Sequence, residues 1–219
     1  MADPARAAIL LRELARGRPL AEAAETADFD LDQAEAELNE MAERLDHRAK
    51  KLRTENERAE KLTERAAKAI SDPDQLIFAF DGGSRGNPGP AVGVGLALDD
   101  EGARLAERSR YFPEATNNFA EYQGLLAAIE LAAALKVKRL RLRGDSELVV
   151  RQMKGEYKIK HPDLIKLSIE AHRALRRFQS WTIAFVPRDK NSEADRAANR
   201  ILNERAPKKK KANPAPLTS

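Results

Sequence analysis

Apolar residues in the first part of the chain recur at three- and four-residue spacing, with few β-branched residues and little glycine between them. Ile9, Leu10, Leu14 and Ala15 line one face of a short helix that Gly17 ends. Pro19 is placed to open a second helix at its first turn, and Phe29 to Leu45 fit a third. From Asp46 to Ala69 the charges alternate in sign over a thin apolar stripe of Leu45, Leu52, Ala59, Leu62, Ala66 and Ala69. That pattern predicts an exposed helix or a short coiled coil. Ser71-Asp72-Pro73-Asp74 breaks the helix, so residues 1–72 read as a helical accessory region with a boundary behind it.

From Leu76 the pattern switches to short runs with β-type spacing, punctuated by glycine. Leu76 to Phe80, Ala91 to Leu98 and Arg104 to Phe112 read as three strands, and Glu114 to Thr116 as a turn. Asn117 or Asn118 can cap a long helix through Leu135, whose Leu125, Leu126, Ile129 and Ala133 recur at helical spacing. Arg139 to Arg143 is a fourth strand and Ser146 to Met153 a helix. Pro162 opens another helix reaching Phe178, Trp181 to Val186 is the fifth strand, and Ser192 to Asn203 the last helix. Strands joined by short loops pair antiparallel, whereas helical crossovers make the later pairings parallel. Residues 76–204 therefore read as an α/β domain with a five-stranded mixed sheet flanked by helices. Residues 205–219 read as a disordered Lys- and Pro-rich tail.

Composition narrows the chemistry. The chain has 219 residues, no cysteine and three histidines, so disulfides and thiolate metal sites are excluded. Any metal must rest mainly on carboxylate oxygen, which suits hard cations such as Mg²⁺ or Mn²⁺. No apolar run approaches the length of a membrane span or a signal core, so no membrane partner is expected and a cytoplasmic protein is. The net charge of +4 is unevenly spread. The part before Asp72 is acidic and the remainder basic, helped by Lys208-Lys209-Lys210-Lys211, which suggests an anionic partner such as nucleic acid.

Three short helices at the start are compatible with a helix-turn-helix, and equally with a hairpin used for packing or self-association. Glu22, Glu25, Asp28, Asp30 and Asp32 count against a DNA-facing surface, because phosphate contacts need Lys and Arg. The region is expected to bind a protein or nucleic acid, or to self-associate.

Four acids stand out by position. Asp81 follows the apolar run that ends at Phe80, and Asp145 ends the strand at Arg143. If these strands are parallel neighbours, both carboxylates emerge at one sheet edge. Glu121 lies one turn into the long helix and Asp195 one turn into the last. Acids at buried strand ends are costly without a partner such as a cation. Spacing alone leaves open whether Asp145 is a metal ligand or only a helix cap.

The surrounding residues carry a more specific signal. Asp81-Gly82-Gly83-Ser84-Arg85-Gly86-Asn87-Pro88-Gly89-Pro90 closely resembles the opening motif of the type 1 ribonuclease H family. Thr116-Asn117-Asn118-Phe119-Ala120-Glu121 is similar to its second motif and Gly144-Asp145-Ser146-Glu147-Leu148-Val149-Val150 to its third. Asn191-Ser192-Glu193-Ala194-Asp195 is similar to its fourth. The resemblance implies the ribonuclease H fold and an endonuclease that cuts the RNA strand of RNA–DNA hybrids, leaving 5′-phosphate and 3′-hydroxyl ends. It implies two Mg²⁺ ions, with Mn²⁺ as a substitute, held by Asp81, Glu121, Asp145 and Asp195, Asp81 being shared. It also implies that the Gly82, Gly83 and Ser84 turn, Asn87, Asn118 and Gln123 approach RNA sugars or base edges, where the 2′-hydroxyl distinguishes RNA. Thr116 would hold a DNA-strand phosphate.

Two departures from the family's familiar bacterial form stand out. Val186-Pro187-Arg188-Asp189-Lys190-Asn191 lacks the histidine found there, and Arg188 stands in its neighbourhood. A permanently protonated arginine cannot be a general base; it would bind a phosphate or lie in solvent. Between Met153 and Pro162 the loop is too short for the basic protrusion some members use to grip DNA. This form resembles the archaeal and actinobacterial branch, with double-stranded RNA as a further substrate. The competing reading is a non-catalytic module that binds hybrid or RNA.

Overall fold

Helical periodicity and glycine punctuation give three helices at the start of the chain: α1 (Pro4–Ala15), α2 (Leu20–Thr26) and α3 (Leu31–Ala69). The computed structural model describes residues 4–70 and 72–205. Gly17, at φ +82°, adopts the left-handed conformation that ends α1. Asp30 and Gln33 cap α3 reciprocally: the Gln33 N–H donates to Asp30 Oδ1 (2.7 Å) and the Asp30 N–H to Gln33 Oε1 (3.3 Å). Leu10, Ala23, Ala24, Ala27, Phe29 and Ala34 close a small core between the three.

The sequence predicts a third helix ending at Leu45 and a separate one from Asp46, but α3 runs unbroken for 39 residues. Pairs one turn apart, Arg44 with Glu40 and Lys50 with Asp46, support it on either side of the expected break. Leu45 is exposed. The side chains of Leu52, Ala59, Leu62, Ala66 and Ala69 lie outside the described residues, as does the lysine run 208–211. The chain forms two compact units, Met1–Arg58 and Ala59–Ser219, so the division falls inside α3, ahead of the composition change near residue 72.

The second unit carries the sheet: β1 (Ile77–Ser84), β2 (Gly89–Leu98), β3 (Arg104–Ala115), β4 (Arg139–Gly144) and β5 (Ser180–Phe185), in the order β3-β2-β1-β4-β5. β1–β2 and β2–β3 are antiparallel, while β1–β4 and β4–β5 are parallel, as the connections predict. The helices are α4 (Asn117–Ala134), α5 (Glu147–Met153), α6 (Pro162–Leu175) and α7 (Ser192–Arg205). Phe78 and Phe80 of β1 enter a core shared with α4, α5 and α6; Ala79 points to the other face, where β2 packs on α7.

Several boundaries shift. β1 continues through Ser84 and β3 through Ala115, so the anticipated turn at 82–84 is instead an arm of an antiparallel pair, and of 114–116 only Thr116, which caps α4, lies outside β3. Backbone pairing continues there because glycine and small residues of β2 face β1. α6 ends at Leu175, short of Phe178.

Glycines set how closely α4 lies on the sheet. A Cβ on Gly124 would stand 2.2 Å from the Asp81 carbonyl oxygen, and one on Gly82 would stand 2.1 Å from the Glu121 backbone nitrogen. Helix and strand thus meet backbone to backbone at the level of the two acids.

Candidate active site

β1 and β4 run side by side as far as Phe80 and Gly144, which are register partners. The next residue in each is an acid, so Asp81 and Asp145 stand level where the parallel pairing stops. Asp81 is not at the end of its strand, as the sequence suggests, since β1 goes on beside β2. It lies where β4 parts from β1, which still brings both acids to one edge. Ser146, not Asp145, caps α5, its hydroxyl accepting from the Val149 N–H at 3.5 Å.

α4 supplies Glu121 one turn from its start. Its cap is Thr116, whose hydroxyl accepts from the Phe119 N–H at 3.3 Å, rather than either asparagine. α7 supplies Asp195. The four acids line one cleft of about 330 Å³, together with Gly82, Gly83 and Ser84.

Burial and mutual repulsion act strongly on this group. Burial, and then the nearby Asp145, push Asp81 from 3.8 up to about 7. Burial, and then Asp81 and Asp145, push Glu121 from 4.5 up to about 9. Glu121 Oε2 is buried without a hydrogen-bond partner. Asp81 Oδ1 accepts from the Gly82 N–H at 2.8 Å. Arg188 donates to Asp195 Oδ1 at 2.5 Å, and Asn199 donates to its Oδ2 at 3.1 Å. Among the described residues, no group of three or more acidic, histidine or cysteine side chains is gathered closely enough to hold a cation as the side chains stand. The donor set nonetheless fits a hard divalent cation. It is all carboxylate oxygen, two members are buried against their charge, and one oxygen is left without a donor.

The other substrate-binding candidates separate into two groups. Arg188 lines the cleft with Gly82, Gly83 and Ser84. Its guanidinium, 76% exposed, is bonded to the fourth acid. Asn87 Oδ1 accepts from the Asn117 N–H at 3.1 Å, tying the β1–β2 turn to the start of α4. Thr116 and Asn118 are near that point and exposed, while Asn117 is the asparagine that lines the cleft. Gln123 is buried, its side-chain oxygen accepting from Arg110 at 2.7 Å, and it is absent from the cleft lining. Two residues beyond Glu121 on a helix, it faces a different direction from the acid.

Two positioning residues escape the sequence reading. Asn191 is 1% exposed, and its Nδ2 donates both to Asp145 Oδ1 (2.7 Å) and to the Phe80 carbonyl (2.9 Å). It fastens the fourth motif to the third acid and to the strand bearing the first. No local pattern reveals that contact, since the partners lie far apart in sequence. Asn199 stands one helical turn after Asp195, a spacing that could have identified it.

The fold and the acid cleft define a nuclease-like α/β domain, and relatives agree. A family model described as reverse transcriptase-like matches residues 79–201. A ribonuclease HI of Halobacterium salinarum is 42% identical over 139 residues, covering 62% of this chain and 70% of that protein. A bifunctional protein of Mycobacterium tuberculosis is 42% identical over 130 residues, 59% of this chain, and the match spans 36% of its length. Its solved N-terminal ribonuclease H domain superposes with TM-score 0.56 at 41% identity, covering 59% of this chain and 94% of the domain. LC11 ribonuclease H1, isolated from compost and solved with an RNA/DNA hybrid, gives TM-score 0.55 at 36% identity, covering 59% of this chain and 97% of that one. The chain belongs to the ribonuclease H family. Among the described residues, no helix is long and apolar enough to cross a membrane.

Proposed function

We propose that this protein hydrolyses the RNA strand of RNA–DNA hybrids, with Asp81, Glu121, Asp145 and Asp195 holding two divalent cations, Mg²⁺ or Mn²⁺. The observation that carries the reading is the pair of buried carboxyls at the parting of β1 and β4. Asp81 and Glu121 are pushed to about 7 and about 9, with Glu121 Oε2 left without a donor, in a cleft the other two acids share. The relative solved with an RNA/DNA hybrid supports the choice of substrate.

Cations in this cleft would activate water and stabilise the leaving 3′-oxygen, leaving 5′-phosphate and 3′-hydroxyl products. The chain's own groups do the rest. Asp81, central among the acids, would be the ligand shared between the cations. Asn191 fixes the Asp145 carboxylate by its 2.7 Å bond. Arg188 and Asn199 orient the Asp195 carboxylate, and Arg188, which lines the cleft, would meet a substrate phosphate there. Gly82, Gly83 and Ser84 present backbone at the cleft floor, where a minor groove can approach closely, and Asn87, Asn118 and Thr116 gather at the start of α4 beside it. Double-stranded RNA is a second substrate on this reading, because the loop after α5 carries no long protrusion to select the DNA strand.

The test is cleavage of a labelled hybrid with Mg²⁺ or Mn²⁺, beside double- and single-stranded RNA, for wild type and Asp81→Asn. Metal-dependent cutting of the hybrid that disappears in the variant is expected. If neither protein cuts while both bind, the chain is a hybrid-binding module instead.

A further inference from the structure

On β4, leucine and arginine alternate. Leu140 and Leu142 enter the core beneath α4, which sends Arg139, Arg141 and Arg143 to the opposite face of the sheet. α7 lies on that face, packed on β1, β2 and β3. The register sets Arg139, Arg141 and Arg143 beside Ser180, Thr182 and Ala184 of the edge strand β5, all three exposed. Toward β1, the partner of Arg143 is Ala79. Ala79 on one side and Ala184 on the other leave the Arg143 guanidinium with no large side chain from the flanking strands at its level.

The row is not uniformly satisfied. Arg139 pairs with Asp74 at 3.4 Å, and Arg141 with Asp100 at 3.5 Å and with the Leu76 carbonyl at 3.4 Å. Arg143 has no ion pair or hydrogen bond among the described residues, and its Nε is buried with no acceptor. A buried donor without an acceptor is costly, and here it belongs to a permanent cation. Arg143 is also the member nearest the cleft: Asp145 is two residues further on, roughly 7 Å along an extended chain. Arg139 and Arg141 each face an acid of their own domain, although Arg141 Nη2 is also buried without a hydrogen-bond acceptor, whereas Arg143 faces none.

We propose that Arg143 binds a backbone phosphate of the nucleic acid next to the cleaved linkage, extending the substrate track from the acid cleft onto the open β4–β5 face. The Nη1 and Nη2 donors, which are not among the buried atoms, match phosphate oxygens. This inference rests on the hybrid being the substrate.

The experiment measures binding of an RNA–DNA hybrid to the full chain carrying Asp81→Asn, with and without Arg143→Met, across a salt series. Loss of one phosphate contact should lower the slope of log affinity against log salt by roughly 0.7–0.9. It should also weaken binding about ten-fold at low salt, with Arg143→Lys recovering part of the loss. Arg139→Met, which removes an already paired cation, should leave the slope unchanged. A second measurement does not depend on how the Met variant folds. Hybrids with a single uncharged methylphosphonate, moved one linkage at a time, should reveal a position beside the cleavage site where neutralisation weakens binding to Arg143 protein more than to Arg143→Lys. An unchanged slope in a folded Arg143→Met, or the absence of any such linkage, overturns the subsite while leaving the nuclease reading intact. A chain whose wild type neither binds nor cuts the hybrid overturns both.

Discussion

The Asn191 side chain is joined at 2.7 Å to Asp145 and at 2.9 Å to the strand that carries Asp81, so it sets the distance between two proposed metal ligands. Asn191→Ala is expected to lower Mg²⁺ affinity or cleavage by about 10–100-fold, the usual cost of losing a group that orients a ligand; isothermal titration and single-turnover cleavage would show it. Asp81 and Glu121 make a second prediction, about pH. Each holds its proton more tightly folded than unfolded, moving from 3.8 to about 7 and from 4.5 to about 9. The stability this contributes is full below about 4 and is lost as pH rises through about 7 and about 9. Glu121→Gln removes the later part of that loss. Without metal, its melting temperature should therefore gain on wild type between pH 5 and 9, while its cleavage is abolished. Parallel melting curves across that range would count against the buried-carboxylate account. Cleavage by wild type should fall on acidification, because protons compete with cations for the same oxygens.

At the scale of elements, the closeness of α4 to β1 fixes where Glu121 meets Asp81. Gly124 sits inside α4, where alanine would gain about 1 kcal/mol from helix propensity. A Cβ there would lie 2.2 Å from the Asp81 carbonyl oxygen, which has no freedom to yield. Overpacking typically costs about 1–3 kcal/mol, occasionally more, so the clash outweighs the propensity. Gly124→Ala is expected to destabilise the domain and displace Glu121, seen as a lower urea midpoint with reduced metal affinity. The Thr116 cap is a milder case: Thr116→Ala should cost about 1 kcal/mol, read from the same unfolding curves.

The whole molecule divides its labour between two units with separate cores. Leu10, Ala23 and Phe29 belong to one, while Phe78, Tyr122 and Leu142 belong to the other. All four acids lie in the second, so removing residues 1–72 is expected to leave metal-dependent hybrid cleavage in place. Loss of cleavage in a folded truncation would assign substrate contacts to the helical region. The family match begins at residue 79, beyond α3, which leaves the three helices outside the matched residues.

Periodicity alone determined the element types, the number of strands and the mixed direction of the sheet, because spacing of two or nearly four residues and the length of connections are local properties. The four motifs determined the candidate acids for the same reason: each is a short contiguous run. Tertiary structure decided what depended on distant partners. Antiparallel pairing with β2 carried β1 through Gly82–Ser84 and left Asp81 inside a strand, and the continuous helix across Leu45 and Asp46 was set by cooperative turns that no single break residue interrupted. The bond from Asn191 to Asp145, the engagement of Asp195 by Arg188, the burial of Gln123 under Arg110 and the unmatched guanidinium of Arg143 all arise where separate elements meet. A sequence states which groups can pair; only the packed fold, by burying some and leaving others without a partner, decides which do.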